Sequence, residues 1–304
     1  MRISIIVTML AVTLAATLSH SVDARQENRA QELIAKARAA LGGDAKLAAV
    51  QSLSTTAKLR KVLAKDQPQV SGEIQVDMLL PDKYMTSETT VMPVGGVEIT
   101  RINGLNGDQT FADSKTTGGG GMVIIRTTDA NPQMQAARLR TLRAEFARLT
   151  IALLLAAPQS QAVELSYFGE AQADEGKADV IDYKFADGFS VRLFLDKDSH
   201  KPLMLTYRAA QPQMMMRTQT SVAANREEAD KLVKEAQDKA KKEAEVRPEP
   251  KMVEMNLYLS DYRKVDGILL PHSISRSVEG EVAEEWEVTG FKINPPLKAE
   301  KFKK

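Results

Sequence analysis

Ile181-Asp182-Tyr183-Lys184-Phe185-Ala186-Asp187-Gly188-Phe189-Ser190-Val191-Arg192-Leu193-Phe194-Leu195 decides the fold class. Ile181, Tyr183 and Phe185 alternate with Asp182 and Lys184, so one face of an extended segment is apolar and the other polar. Asp187-Gly188 is a tight-turn signal. Phe189, Val191, Leu193 and Leu195 then return on a single face. The stretch is an antiparallel hairpin with one side buried.

The same period of two runs outward through most of the chain. It begins at Ser54. Ile74, Val76, Met78 and Leu80 alternate with Glu73, Gln75, Asp77 and Leu79, and Pro81-Asp82 ends that strand. Val97 to Ile102 is another strand. It enters a turn at Asn103-Gly104 and Asn106-Gly107, and Asp108 to Phe111 continues the hairpin. After Val163 the pattern resumes. Leu203, Leu205 and Tyr207 form one strand, and Val253, Met255, Leu257 and Leu259 the next. A hairpin at Asp266-Gly267 leads to strands around His272 to Val278 and Glu284 to Ile293.

Helices interrupt this pattern. Gln26 to Leu41 carries Leu33, Ile34, Ala37, Ala40 and Leu41 at helical spacing and stops at Gly42-Gly43. A short helix over Ala45 to Leu53 follows, with Asp44 as its N-cap. The longest spans Asn131 to Ala157, capped by Asn131 with Pro132 at its first position. Leu139, Leu142, Phe146, Leu149 and Leu153 form its apolar stripe. Arg138, Arg140, Arg143 and Arg148 give it a basic side, with Glu145 the nearby acid. That side reads as solvated; the alternative is contact with anionic head groups or an acidic partner. Ile151 to Ala157 is apolar all round and is expected to be buried.

Two segments stand apart. Gly118 to Gly121 enters Met122-Val123-Ile124-Ile125, a strand pattern and not a helix with a following Lys-Ser or Lys-Thr, so a phosphate cradle is rejected. A flexible connection or a gate beside a pocket remains. Gln211 to Pro250 holds a Met214-Met215-Met216 run and then a Glu/Lys/Ala-rich stretch, Asn225 to Val246. Its apolar stripe is thin, and it reads as a solvated helix inserted between two strands.

The N-terminus has the plan of an export signal. Arg2 supplies the positive region, Ile3 to Leu18 the apolar region and Val22-Asp23-Ala24 the cleavage pattern, which places cleavage after Ala24. The alternative is an uncleaved anchor. No cysteine follows for lipidation. The mature chain, residues 25–304, is expected as a soluble single domain in the periplasm, with the charged insertion at about 211–250. Forty-one basic residues against 40 acidic ones argue against a nucleic-acid partner. Thirteen methionines against one tryptophan provide a soft, adaptable apolar inventory.

No catalytic constellation is legible. The mature chain has two histidines, His200 and His272, each close to a proline, and no cysteine, so no metal or cofactor site is expected. Neither His-Glu-x-x-His nor Gly-x-Ser-x-Gly occurs. Asp196 and Asp198 flank a turn, and Glu284 and Glu285 read as lying on a solvent-facing strand. An enzyme is not expected.

Three stretches carry a resemblance. The first is Ala39-Ala40-Leu41-Gly42-Gly43 with Lys46-Leu47 and Val50-Gln51-Ser52-Leu53. The second is Leu80-Pro81-Asp82-Lys83-Tyr84 with Asn103-Gly104. The third joins Tyr167-Phe168-Gly169-Glu170, Leu195-Asp196-Lys197-Asp198 with Lys201-Pro202, Asp261-Tyr262-Arg263-Lys264-Val265-Asp266-Gly267-Ile268, Leu270-Pro271 and Asn294-Pro295. Together they resemble the outer-membrane lipoprotein-sorting family, periplasmic carriers of LolA/LolB type. These are turn and strand-edge patterns, signatures of a fold and not of catalysis.

The resemblance implies an α+β fold: a strongly curved antiparallel sheet, an unclosed barrel, with helices covering a hydrophobic cavity on its concave face. It implies lipid or lipoprotein cargo, with an envelope protein partner and transient membrane-surface contact as further expectations. Ile74, Val76, Met78, Tyr183, Phe185, Leu193, Leu205, Met255 and Leu257 are the inward-facing cavity candidates; for each, core packing is the competing role. The chain departs from the family in two places. Gln109, Thr110 and Phe111 stand where a tryptophan is usual, and the Asn225 to Val246 insertion is extra. Carrier, regulatory or accessory module on the same scaffold, and enzyme remain the competing functions.

Overall fold

Tyr183 pairs with Val191 and Ile181 with Leu193, the register that the alternation of the 181–195 hairpin demands. Gly188, at φ 87°, turns the chain, and the Phe185 amide donates to the Phe189 carbonyl at 2.8 Å. A computed structural model describes residues 24–62, 69–92, 96–118, 121–125, 132–158, 162–173, 176–211 and 251–303. The Met214 run, the Asn225 to Val246 stretch, Asn131 and the export signal up to Asp23 lie outside them. The chain divides into two compact units, Met1–Tyr207 with Glu254–Lys304, and Arg208–Val253.

The sheet has thirteen strands in the order β6-β5-β4-β3-β2-β1-β13-β12-β11-β10-β9-β8-β7. β1 to β6 are Ser52–Lys61, Val70–Leu79, Lys83–Val91, Glu98–Asn106, Gln109–Gly118 and Gly121–Ile125. β7 to β10 are Val163–Ala173, Gly176–Phe185, Ser190–Asp196 and Pro202–Ala210; β11 to β13 are Met252–Val265, Ile268–Val278 and Glu281–Ile293. Two meanders therefore meet at a central seam, where Leu53 of β1 pairs with Ile293 of β13, antiparallel. The outermost strands β6 and β7 are not paired to each other, so the sheet is not closed into a barrel.

Helix α1 covers residues 24–41, α2 is Asp44–Ala48, and α3 is Pro132–Leu154. α1 buries Ala30, Leu33, Ala37 and Leu41 at helical spacing. α3 joins the two outermost strands and lies against the inner face. Its Phe146 ring stands 6.1 Å from Tyr84 on β3, and Arg148 lies 4.2 Å from the Tyr207 ring centre on β10. β3 and β10 are six strand steps apart. In a flat sheet that is about 29 Å. Residues half a turn apart on one helix, about 10–12 Å across with its side chains, touch both. The sheet must curve strongly around α3.

Several expectations are corrected. The helix expected over Ala45 to Leu53 ends at Ala48, and β1 begins at Ser52. Leu47, Val50 and Leu53 are three residues apart and all buried, which imitates a helical stripe, but Leu53 already pairs with Met78 and Ile293. Asp44 lies in the first turn of α2, not at its cap, and accepts from Arg38 Nε at 2.5 Å. Asn103-Gly104 is no turn: β4 runs through it to Asn106, and the chain reverses at Gly107. Gly104 is required there because the Phe111 ring lies on its Cα, where a side chain would collide. Leu203 is exposed, unlike Leu205 and Tyr207, because a bulge between Pro202 and Met204 shifts the face. α3 stops at Leu154. Leu155, at φ 51°, breaks it, so Ala156 and Ala157 lie beyond the helix and half-buried.

The 3-10 turn Ala299–Phe302 packs against β3 and β4. Phe302 is fully buried, and Lys301 Nζ donates to the fully buried Asp77 at 2.6 Å.

Candidate binding cleft

The pleat puts Lys61 of β1, Glu88 of β3, Glu284 of β13 and Arg276 of β12 on the inner face beneath α3. Lys61 Nζ reaches Glu88 at 2.5 Å and Glu284 at 3.3 Å. Glu284 also accepts from Trp286 Nε1 and stands opposite Arg276. Arg276 donates to Glu145 of α3, whose other oxygen takes Arg148 at 2.5 Å. Arg148 in turn stacks on Tyr207 and lies 5.4 Å from the Phe189 ring. Three acids and three bases thus alternate across the inner face, linking sheet to helix.

This chain of charges corrects two readings. The α3 arginines are not one solvated basic side. Arg148 is buried, Arg143 pairs with Asp108, Arg138 donates to Asn103 Oδ1 at 2.9 Å, and Arg140 is exposed. Glu284 is not solvent-facing: its side chain is 14% exposed and shares the inner face with Trp286, while its neighbour Glu285 points outward to Arg60. Adjacent strand residues cannot share a face.

Electrostatics fixes what the inner carboxylates do. Burial alone would raise the Glu145 pKa, but the Arg276 and Arg148 guanidiniums outweigh it and hold the carboxyl at about 2. The same carboxylate holds the Arg276 guanidinium well above its usual range against the opposing effect of burial. A carboxylate fixed as an anion cannot serve as a general acid near neutral pH. Its role is to tie α3 to β12. Burial raises the phenols of Tyr84, Tyr183 and Tyr207, which stay neutral.

Beside this network a cleft of about 290 Å³ opens between α3, the β4–β5 turn and the β8–β9 hairpin. Leu105, Phe146 and Phe185 give it apolar walls. Asp82, Asp108, Asp187 and Arg143 stand around it. Asp108 is engaged by Arg143, Asp82 by Lys83 at 2.8 Å, and Asp187 by the Phe189 amide at 3.0 Å. The volume lies at the small end of small-molecule pockets.

All nine sequence-derived cavity candidates are buried: Ile74, Val76 and Met78 on β2, Tyr183 and Phe185 on β8, Leu193 on β9, Leu205 on β10, Met255 and Leu257 on β11. Leu193 pairs with both Ile181 and Leu205. Of the nine, Phe185 lines the cleft. Phe146 was legible as part of the α3 stripe. Arg143 was legible as part of the basic side of α3, whereas Leu105, Asp82, Asp108 and Asp187 were not legible as cleft residues, because their approach depends on turns distant in sequence. Among the described residues, no group of three or more His, Asp or Glu is placed to hold a metal. His272 lies within β12, and its ring meets Phe291 edge-on.

No protein-family model matches the chain, and no curated protein matches its sequence. Solved structures do. The chain is similar to LolA-superfamily proteins. A crystal structure of the LolA superfamily protein NE2245 from Nitrosomonas europaea shares 12% identity at a TM-score of 0.45, over 90% of this chain and 97% of that one. An outer membrane lipoprotein-sorting protein domain from Vibrio parahaemolyticus shares 9% at 0.44, over 91% and 97%. A DUF1329 family protein from Desulfovibrio piger shares 10% at 0.44, over 90% and 97%.

Proposed function

We propose that this chain is a non-enzymatic periplasmic carrier that seats an acyl chain of a lipid or lipoprotein in the cleft between α3 and the strand ends. The observation that supports it is the apolar wall of Leu105, Phe146 and Phe185 opening to the surface beside a helix on the inner face of an unclosed sheet. Each methylene buried there gains about 0.8 kcal/mol. Of the nine inward candidates, Phe185 is proposed to meet cargo directly; the other eight pack behind it.

The second reading is a regulatory or accessory module of the cell envelope. The inner face favours it: it is filled by side chains and crossed by paired charges, which leaves less room for cargo than a wide cavity.

The test is native mass spectrometry with lipid extraction of the chain purified from a bacterial periplasm, followed by uptake of a fluorescent monoacylglycerol. A neutral probe is chosen because Asp187 repels a carboxylate head. Bound lipid, and uptake abolished by Ala162→Trp at the exposed rim with an unchanged melting temperature, support the carrier. A ligand-free chain that takes up no probe refutes it and leaves the regulatory reading.

A further inference from the structure

A second concavity, about 350 Å³, lies where the end of α1 and the start of α2 meet the β11–β12 hairpin. Its charged side chains are two lysines, Lys46 from α2 and Lys264 from β11. They come from segments more than two hundred residues apart and have no ion pair among the described residues. Elsewhere the well-placed lysines are engaged: Lys58, Lys61, Lys83, Lys197 and Lys301 all hold carboxylates. Acids are close at hand here too. Asp44 is taken by Arg38, and Asp266 sits exposed on the hairpin turn, yet neither pairs with these lysines.

Besides the lysines the lining is Gly42, Gly43 and Gly267 with Ala39, Ala40 and Leu269. Gly42 packs against the Gly267 carbonyl where a Cβ would collide, and Gly43 has open space in front of its Cα. Lys46 Nζ lies 2.6 Å from where a Cβ on Gly267 would stand, so the missing side chain lets the ammonium lie across the turn. The rest of the lining is uncharged, and the two lysines come to it from α2 and β11.

We propose that this cleft binds the phosphate group of an anionic ligand. A phosphate has enough acceptor oxygens to take a charge-assisted hydrogen bond from each ammonium at once, and bare glycine backbone permits its close approach. The phosphate comes either from a lipid head group at a membrane surface or from a small soluble phosphate. This site is separate from the acyl cleft, and its residues are not shared with it.

The test uses the purified full chain and its Lys46→Gln, Lys264→Gln double variant. Both lysines are exposed, so the fold is expected to survive, and an unchanged melting temperature verifies this. Inorganic phosphate is titrated while the amide signals of Gly42, Gly43 and Gly267 are followed. Flotation with vesicles of phosphatidylcholine, alone or mixed with phosphatidylglycerol, is measured in parallel. A saturable shift of these amides by inorganic phosphate, weakened about tenfold or more in the double variant, shows a soluble phosphate site. Flotation that requires phosphatidylglycerol and both lysines shows a head-group site. Absence of both responses in the parent chain, or their persistence in the double variant, overturns the proposal. Ala162→Trp leaves either response intact, so a failed carrier reading is told apart from a failed phosphate site.

Discussion

Glu145→Gln removes one negative charge and keeps the shape of the side chain. In the parent, Glu145 lies between Arg148, 6% exposed, and Arg276, 21% exposed. Its carboxyl is held at about 2 against the ordinary 4.5. That depression corresponds to about 3 kcal/mol of native-state stability at neutral pH. Breaking a buried ion pair from one side costs a similar amount, about 3–5 kcal/mol. The lower figure is expected, because Arg276 still faces Glu284 and Arg148 still stacks on Tyr207. The sign follows from the depressed native value. The contribution is complete above the unfolded value of 4.5 and disappears as pH falls through 4.5 toward 2. Urea unfolding at pH 7 is expected to show the variant about 3 kcal/mol less stable, with the gap narrowing by about 1 kcal/mol near pH 3.5. A variant as stable as the parent at pH 7, or a gap that does not narrow with acid, refutes the assignment of Glu145 as the buried tie between α3 and β12.

Lys301→Ala leaves the carboxylate of Asp77 inside the protein with Gln75 as its remaining side-chain donor, and about 1–3 kcal/mol of stability is expected to be lost in denaturant unfolding; the partial exposure of Lys301 keeps this below a full buried-pair loss. Gly104→Ala forces the Phe111 ring off the β4 backbone and is expected to cost about 1–3 kcal/mol, read as a lower melting temperature that Phe111→Ala in the same chain partly restores. Arg38→Met removes the guanidinium that donates to the carbonyls of Leu154 at 2.8 Å and Leu155 at 3.3 Å at the end of α3. It should cost about 1–2 kcal/mol and speed hydrogen exchange of the Ile151 to Leu154 amides, while unchanged exchange there counts against a capping role.

The 181–195 hairpin was legible because every second side chain is buried in an apolar layer. β3 carries no such signal. Its inner-face residues are Tyr84, Thr86, Glu88 and Thr90, with Glu88 held by Lys61 and Tyr84 beside Phe146, while Met85 and Val91 lie on the other face, so apolar and polar residues mix on both faces and leave no period to read. Glu284 misled for the same reason: a charge on the inner face looks like a charge on the outer one until its partner is known. The pairing of Arg276 with Glu145 joins residues 131 positions apart, and nothing local to either announces it. Turns told a similar story. Asp187-Gly188 and Asp266-Gly267 turn the chain, whereas Asn103-Gly104 stays extended because an aromatic ring across the hairpin needs the space. The cleft depends on the β4–β5 turn, the β8–β9 hairpin and α3 meeting, so Phe185 and Phe146 could be nominated one at a time but the cleft itself could not.

For residues 25–304 made without the export signal, the seam between β1 and β13 sets an order of events at the ribosome. Leu53 is made first, and its partner Ile293 follows 240 residues later. At about 5–20 residues per second, roughly 12–50 s separate them. Through that interval the first meander can zip from β2 outward, but β1 keeps an open hydrogen-bonding edge at what will become the middle of the sheet. Nascent chains stalled before β13 should therefore recruit holdases or pair with one another edge to edge, and release of the final strand should be the step that makes the molecule safe from its own copies.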